Sequence, residues 1–217
     1  MSEATTAAAT EEKNEYYVEF KKPYKFEGKE YAGIDLSGVA ELKIKDLAEV
    51  QKQLQNGGEA AASLLMETTT AFIYTIAARA TQKPVEFFKR MPVKKIEAVR
   101  ETVMKAINTK VDETESPQLL KLNAPYIYEG ARDDIRGKSY TEVSFDNAGN
   151  ITAMDKAAAE NKMALAGQPV TGIARNYVYS CYIAARAANL PEDFFLNLPA
   201  CEGMKLLLVL NGDGFFE

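Results

Sequence analysis

Apolar positions in this chain alternate at first and then lengthen to a helical period, and the change occurs twice. Tyr16, Val18 and Phe20 alternate, Tyr24 and Phe26 continue them, and Glu27-Gly28-Lys29 interrupts before Tyr31, Ile34 and Leu36. Aromatic and β-branched residues around a central glycine predict a β-hairpin. Pro23 lacks an N–H and is expected at a strand start or on a sheet edge. Val39, Leu42, Leu47, Val50 and Leu54 then predict an amphipathic helix stopped by Asn56-Gly57-Gly58. A long helix is predicted over Glu59 to Thr81, with Leu65, Phe72, Ile76 and Ala80 as its stripe. Pro84 breaks it, Phe87 and Phe88 anchor a short segment, and Pro92 opens a closing helix facing inward through Ile96, Val99, Val103 and Ile107.

The second passage begins with Tyr126 and Tyr128 and resumes with Tyr140, Val143 and Phe145. Asp146-Asn147-Ala148-Gly149-Asn150 is a turn, and helical residues follow from Ile151 to Leu165. After Gly167-Gln168-Pro169, Val170, Ile173, Tyr177, Cys181 and Ala184 form the stripe of a second long helix. Met204 to Leu210 is almost wholly apolar, and Asn211-Gly212-Asp213-Gly214 ends it.

The two passages share wording. Residues 76–92 and 183–199 fit IAARA-x-x-x-P-x-x-FF-x-x-x-P, with nine of seventeen positions identical. Pro23-Tyr24-Lys25-Phe26-Glu27-Gly28 matches Pro125-Tyr126-Ile127-Tyr128-Glu129-Gly130, and Leu42 and Asp46 fall opposite Ile151 and Asp155. The displacement grows from 102 to 109 across Ala131–Gly137, a seven-residue insertion that marks a loop. The pattern predicts an internal duplication of paired units rather than a solenoid. The expected fold is α+β, predominantly helical, with two similar units, each a β-hairpin followed by a small helical bundle. Residues 1–15 are expected to be a disordered tail. Unit one spans 16–107, a linker 108–122 carries Asp112, Glu113, Glu115 and Pro117, and unit two spans 123–217.

Composition narrows the chemistry. The 217 residues are 47% apolar and 26% charged, with a net charge of −5, which disfavours nucleic acid as a partner. No apolar run approaches the ~20 residues that span a bilayer, so no membrane partner is expected. Residues Met1 to Lys13 do not read as a secretory signal. Cys181 and Cys201 lack metal or redox spacing and are read as reduced, buried small hydrophobes of a cytoplasmic protein. The chain has no histidine, which removes Ser-His-Asp and Cys-His nucleophile systems and Cys/His zinc sites. It also has no G-x-x-x-x-G-K-[ST] or G-x-G-x-x-G phosphate loop. Asp146 to Asn150 lacks the ligand pattern of a calcium loop, and Asp133-Asp134 sits between Arg132 and Arg136 as a solvated charged loop. No catalytic residue, cofactor or metal is expected.

Binding residues are sought instead among the repeated ones. Phe87, Phe88, Phe194 and Phe195 read first as core anchors, with one Phe of each pair pointing outward as the alternative. Arg79 and Arg186 complement the dipole at the ends of the long helices or contact a partner. Leu207 and Leu210 lie in the C-terminal apolar run, which is a buried helix or, with Phe215 and Phe216, an exposed interaction patch.

The order of K-P-Y-x-F-E-G-K-x-Y-x-x-I-D-L, a helix around Leu42 to Leu47, an Ala-rich helix and P-V-E-F-F-x-x-M-P resembles the tail assembly chaperones of contractile-tailed phages and prophages. The resemblance covers residues 20–107 best and 123–211 as a diverged second copy, whereas the family unit is single. It implies a non-enzymatic protein of the bacterial host cytoplasm, absent from the mature virion. Such a protein coats the tape measure protein and helps recruit tail tube protein. Self-association stays open, as does the alternative of a structural virion component, a tail tube or connector subunit.

Overall fold

The computed structural model describes residues 14–57, 66–108, 117–168 and 172–217. It is an α+β fold, mostly helical, with two separate two-stranded antiparallel sheets. In the N-terminal half, β1 (Tyr17–Phe26) and β2 (Lys29–Asp35) precede α1 (Ile44–Asn56), α2 (Thr70–Thr81), α3 (Val85–Lys89) and α4 (Val93–Ile107). In the C-terminal half, β3 (Leu119–Ile127) and β4 (Ser139–Ser144) precede α5 (Ala153–Leu165), α6 (Tyr177–Ala188), α7 (Glu192–Leu196) and α8 (Cys201–Leu210). A short 3-10 helix follows each hairpin, at Ser37–Val39 and Ala148–Asn150. The next three helices have 13, 12 and 5 residues in both halves.

The first hairpin turns through Glu27 and Gly28, both at positive φ. That two-residue geometry matches the twist of the flanking strands, and Gly28 adopts it without a Cβ penalty. Val18, Phe20, Tyr24 and Phe26 face the core. Between Glu19↔Gly33 and Tyr24↔Tyr31 four residues of β1 stand opposite Ala32 alone, so Phe20–Pro23 bulges out. The second hairpin repeats this between Lys121↔Glu142 and Tyr126↔Tyr140, where Leu122–Pro125 bulges opposite Thr141. Each proline sits inside its bulge, where no ladder N–H is required of it.

Helix boundaries follow local capping. The long helix expected from Glu59 starts instead at Thr70, because extended Thr69 accepts a hydrogen bond from Phe72 N–H through its hydroxyl. Residues 59–65 of that expectation, with Leu65, lie outside the described residues. Asn176 caps α6 in the same way through Tyr179 N–H. Both helices end at a left-handed residue, Gln82 with φ 54° and Asn189 with φ 52°. Helix α4 buries Ile96, Val99, Val103 and Ile107, the face that the periodicity predicts.

Two sequence boundaries shift. β3 opens at Leu119, inside the expected linker, because Leu120 pairs with Val143 and Phe145 N–H bonds Gln118 O at 2.9 Å. The linker's residues 109–116 lie outside the described residues. Asn14 and Glu15, assigned to the tail, are tied down: Asn14 bonds Asp35 at 3.2 Å and Glu15 pairs with Lys105 at 2.8 Å. Residues 1–13 of the tail lie outside the described residues.

The halves share one hydrophobic core. α1 packs against α2 of its own half and against α6, α7 and α8 of the other. The entry into α1 also bonds the chain before α8, through Ile44 N–H to Leu198 O at 3.0 Å and Ala200 N–H to Leu42 O at 2.7 Å. Amides cross the same junction. Gln51 donates to Arg175 O at 2.9 Å and accepts from Tyr177 N–H at 3.2 Å, while Gln168 donates to Ala48 O and accepts from Asn176. Tyr177 hydroxyl donates to buried Glu67 at 3.0 Å. Buried polar groups left unpaired are costly, so these bonds fix the register of α1.

Gln51→Ala leaves a carbonyl and an amide at this junction without partners, and is expected to lower the unfolding free energy by about 1–3 kcal/mol in urea denaturation. Lys45→Ala, which removes an exposed contact to Asn197, is expected to change it by less than about 0.5 kcal/mol.

Candidate functional site

The repeated phenylalanines are interior. Phe87 lies edge-on to Tyr24, Phe26 and Tyr31, with ring centroids 4.9 to 5.2 Å apart. Phe194 occupies the matching place among Tyr126, Tyr128 and Tyr140. Tyr24 hydroxyl donates to Phe87 O at 2.8 Å, locking hairpin to helix. Phe88 and Phe195 are buried as well. The alternative that one ring of each pair points outward is corrected: all four are enclosed between a hairpin and the two short helices α3 and α7. Edge-to-face packing of this kind adds to burial.

Arg79 and Arg186 each stand in the last turn of their helix and reach the start of another. Arg79 meets Asp46 at 2.7 Å, and Arg186 meets Asp155 at 3.1 Å. Those aspartates also accept the N–H of Lys43 and Thr152 at the starts of α1 and α5. The Thr152 hydroxyl and N–H, then Arg186, hold the Asp155 carboxyl below its ordinary value. The match of Asp46 with Asp155 thus reports a cap and an ion pair, a role that sequence reasoning missed and that a carboxylate three residues into a helix signals.

At the C-terminus, Leu207, Leu210 and Phe215 are buried, Phe215 against Phe145. The alternative of an exposed patch is therefore corrected for these three, since α8 turns Leu207 and Leu210 into the core and Phe215 packs there behind it. Phe216 remains 41% exposed under Lys156 Nζ at 4.2 Å, and Leu208 54% exposed.

A larger concave surface lies where the sequence did not direct attention. The β1 bulge and the first turn of α4 border a groove of about 810 Å³, lined by residues 19–23 and 92–95 and by Ala98. Its floor is apolar, with buried Phe20, and its rim carries Lys21, Lys22, Lys94 and Lys95. Lys95 Nζ lies 5.0 Å over the Phe20 ring and donates to Lys22 O. Val93 is 73% exposed, and the first turn of α4 holds no acid. The signal for this site was the two Lys-Lys pairs, one directly before Pro23 and the other one residue past Pro92.

The C-terminal half closes the corresponding place. Buried Lys205, which aligns with Ala98, donates to Lys121 O at 2.6 Å and Asn123 Oδ1 at 3.4 Å. Buried Glu202, aligned with Lys95, accepts the N–H of Asn123 in the bulge at 2.7 Å. Its other oxygen lies 4.0 Å from Lys205 Nζ and has no hydrogen-bond partner. Burial raises the Glu202 carboxyl above its ordinary value, partly offset by Asn123 N–H and Lys205.

Among the described residues, no group of three or more His, Cys, Asp or Glu can hold a metal ion. Burial pushes the Cys181 thiol strongly upward, away from the nucleophilic thiolate. Burial also raises Cys201, which Asn123 touches at 3.7 Å. The loop at Asp133-Asp134 is an exposed set of ion pairs with Arg136 and Arg132.

Phe87→Ala is expected to cost about 3–5 kcal/mol of stability and Phe216→Ala under about 1 kcal/mol, read by urea denaturation. Glu202→Gln keeps the acceptor for Asn123 N–H but no longer titrates. The folded carboxyl binds its proton more tightly than the unfolded one, so wild-type stability falls as pH rises from the ordinary value of 4.5 through the raised one. Stability of Glu202→Gln relative to wild type should therefore rise across that interval in thermal melts. An unchanged difference across it would refute the assignment. No family model, no curated protein and no solved structure matches this chain.

Proposed function

We propose that this protein is a non-enzymatic tail assembly chaperone, two diverged copies of one unit, that binds the tape measure protein and helps recruit tail tube subunits. The observation that carries the reading is the order of elements: hairpin, 13-residue helix, Ala-rich helix, short Phe-Phe helix and closing helix, present twice. That order is the layout of the family the sequence resembles. The repeated bulges, the left-handed ends at Gln82 and Asn189, and the Asp46–Arg79 and Asp155–Arg186 pairs support a duplication origin.

A chaperone without a nucleotide cycle acts as a holdase: it covers apolar segments of its client and blocks their association. The net charge of −5 keeps such a complex dispersed. Because the halves share one core, two client-binding surfaces would sit at fixed spacing, which raises the effective concentration of the second contact. The proposed location is the cytoplasm of the bacterial host; among the described residues no helix is long and apolar enough to cross a membrane.

Co-expression with a tape measure protein of the same genome tests this reading. The expected result is a stoichiometric complex, with a client that is insoluble when expressed alone. Absence of both complex and rescue overturns it. Retention of the protein in purified tails at subunit stoichiometry also overturns it, in favour of a structural subunit.

A further inference from the structure

The groove beside the first bulge and its closed counterpart in the second half are the same frame with different side chains. Where the C-terminal half has Lys205, the N-terminal half has Ala98, and the lost side chain leaves open space. Where the C-terminal half sets the Glu202 carboxylate against the bulge backbone, the N-terminal half has Lys95, whose ammonium folds over Phe20. The second half therefore shows what this crevice accommodates: a carboxylate at the bulge and an alkyl chain across the floor. The first half supplies no carboxylate there, its chain over the floor ends in the Lys95 ammonium, and cations surround the space.

From this we infer that the groove binds an extended acidic segment of a partner protein, with carboxylates and apolar side chains in alternation. The carboxylates meet the ammonium groups of Lys21, Lys22 and Lys94. The apolar side chains cover Val93, Pro92 and Pro23 and reach toward Phe20 and Ala98 on the floor. Charge complementarity argues for this occupant, because four lysines and one acid, Glu19, line a groove in a chain of net charge −5. The start of α4 adds to it, since the helix dipole favours negative charge there and no acid of its own first turn supplies any. A groove of about 810 Å³ is also within the size range of ligand-binding clefts.

The inference rests on the groove and not on the chaperone reading, and its test uses no tape measure protein. A fluorescein-labelled short peptide alternating Glu and Leu is titrated with the full chain, and anisotropy is recorded. Peptides alternating Gln with Leu and Lys with Leu, and a single-stranded DNA oligonucleotide, serve as comparison probes. Saturable binding of the Glu/Leu peptide is expected, with the Gln/Leu and Lys/Leu peptides weaker by about tenfold or more. Lys21→Glu combined with Lys94→Glu should weaken the Glu/Leu peptide about tenfold or more, and so should Val93→Glu. These three side chains are exposed, and unchanged thermal melts would show that the variants fold.

Ala98→Lys gives an independent reading, because it fills the groove as Lys205 fills its counterpart while adding positive charge. Loss of peptide binding in Ala98→Lys supports enclosure in the groove, whereas stronger binding overturns it in favour of simple charge attraction. Equal binding of the Gln/Leu peptide, or binding untouched by all the variants, overturns the inference. So does DNA binding of equal strength that survives Val93→Glu, which would make the patch a general polyanion surface.

Discussion

One helix holds the molecule together: α1 belongs to the first half by sequence and lies buried against the second. Its apolar face, with Ile44, Leu47, Val50 and Leu54, is removed from water between α2 and the helices α6 to α8. Desolvating a helix there also buries polar groups, and Gln51, Gln168, Asn176 and the Tyr177–Glu67 pair give those groups partners. An apolar junction alone would tolerate sliding. The amide network admits one register, because a shift by one residue would leave several buried donors unpaired.

The corresponding helix of the second half does not repeat this role. α5 carries Lys156 where α1 has Leu47, and Glu160 where α1 has Gln51. Those residues face solvent wholly or in part, and α5 buries only Ala159 and Met163. Docking an apolar helix face against another bundle releases water from both, while docking a lysine and a glutamate would require desolvating charge. The apolar face that α1 turns to the other half is thus not repeated on α5. The two bulges show the same economy of means: one is closed by the chain's own Glu202 and Lys205, and the other is left open with lysines at its rim.

Much of the frame was legible from residue pattern. The hairpin around Gly28, the inward face of α4 and the turn at Asp146 to Asn150 follow from period and turn chemistry, which depend on near neighbours. Helix starts were less legible, as Thr69 shows, since a cap competes with helical continuation within a few residues. The fate of the phenylalanines was open in the sequence. A pair of adjacent rings reads first as core anchors but leaves an outward-pointing ring as an alternative, and only the closing hairpin, with Tyr24, Phe26 and Tyr31 around Phe87, resolves it.

The lysine-rimmed groove was the least legible part. Lys21-Lys22 and Lys94-Lys95 lie more than seventy positions apart, and nothing local brings them to one groove. By itself the sequence determined the element types, the repeated skeleton and the absence of histidine chemistry, because these reside in single residues and short-range spacing. Tertiary structure alone decided which half encloses α1, which phenylalanines are covered and which bulge stays open. Those outcomes depend on side chains from distant segments competing for the same space, and on whether charge or apolar surface must give up its water there.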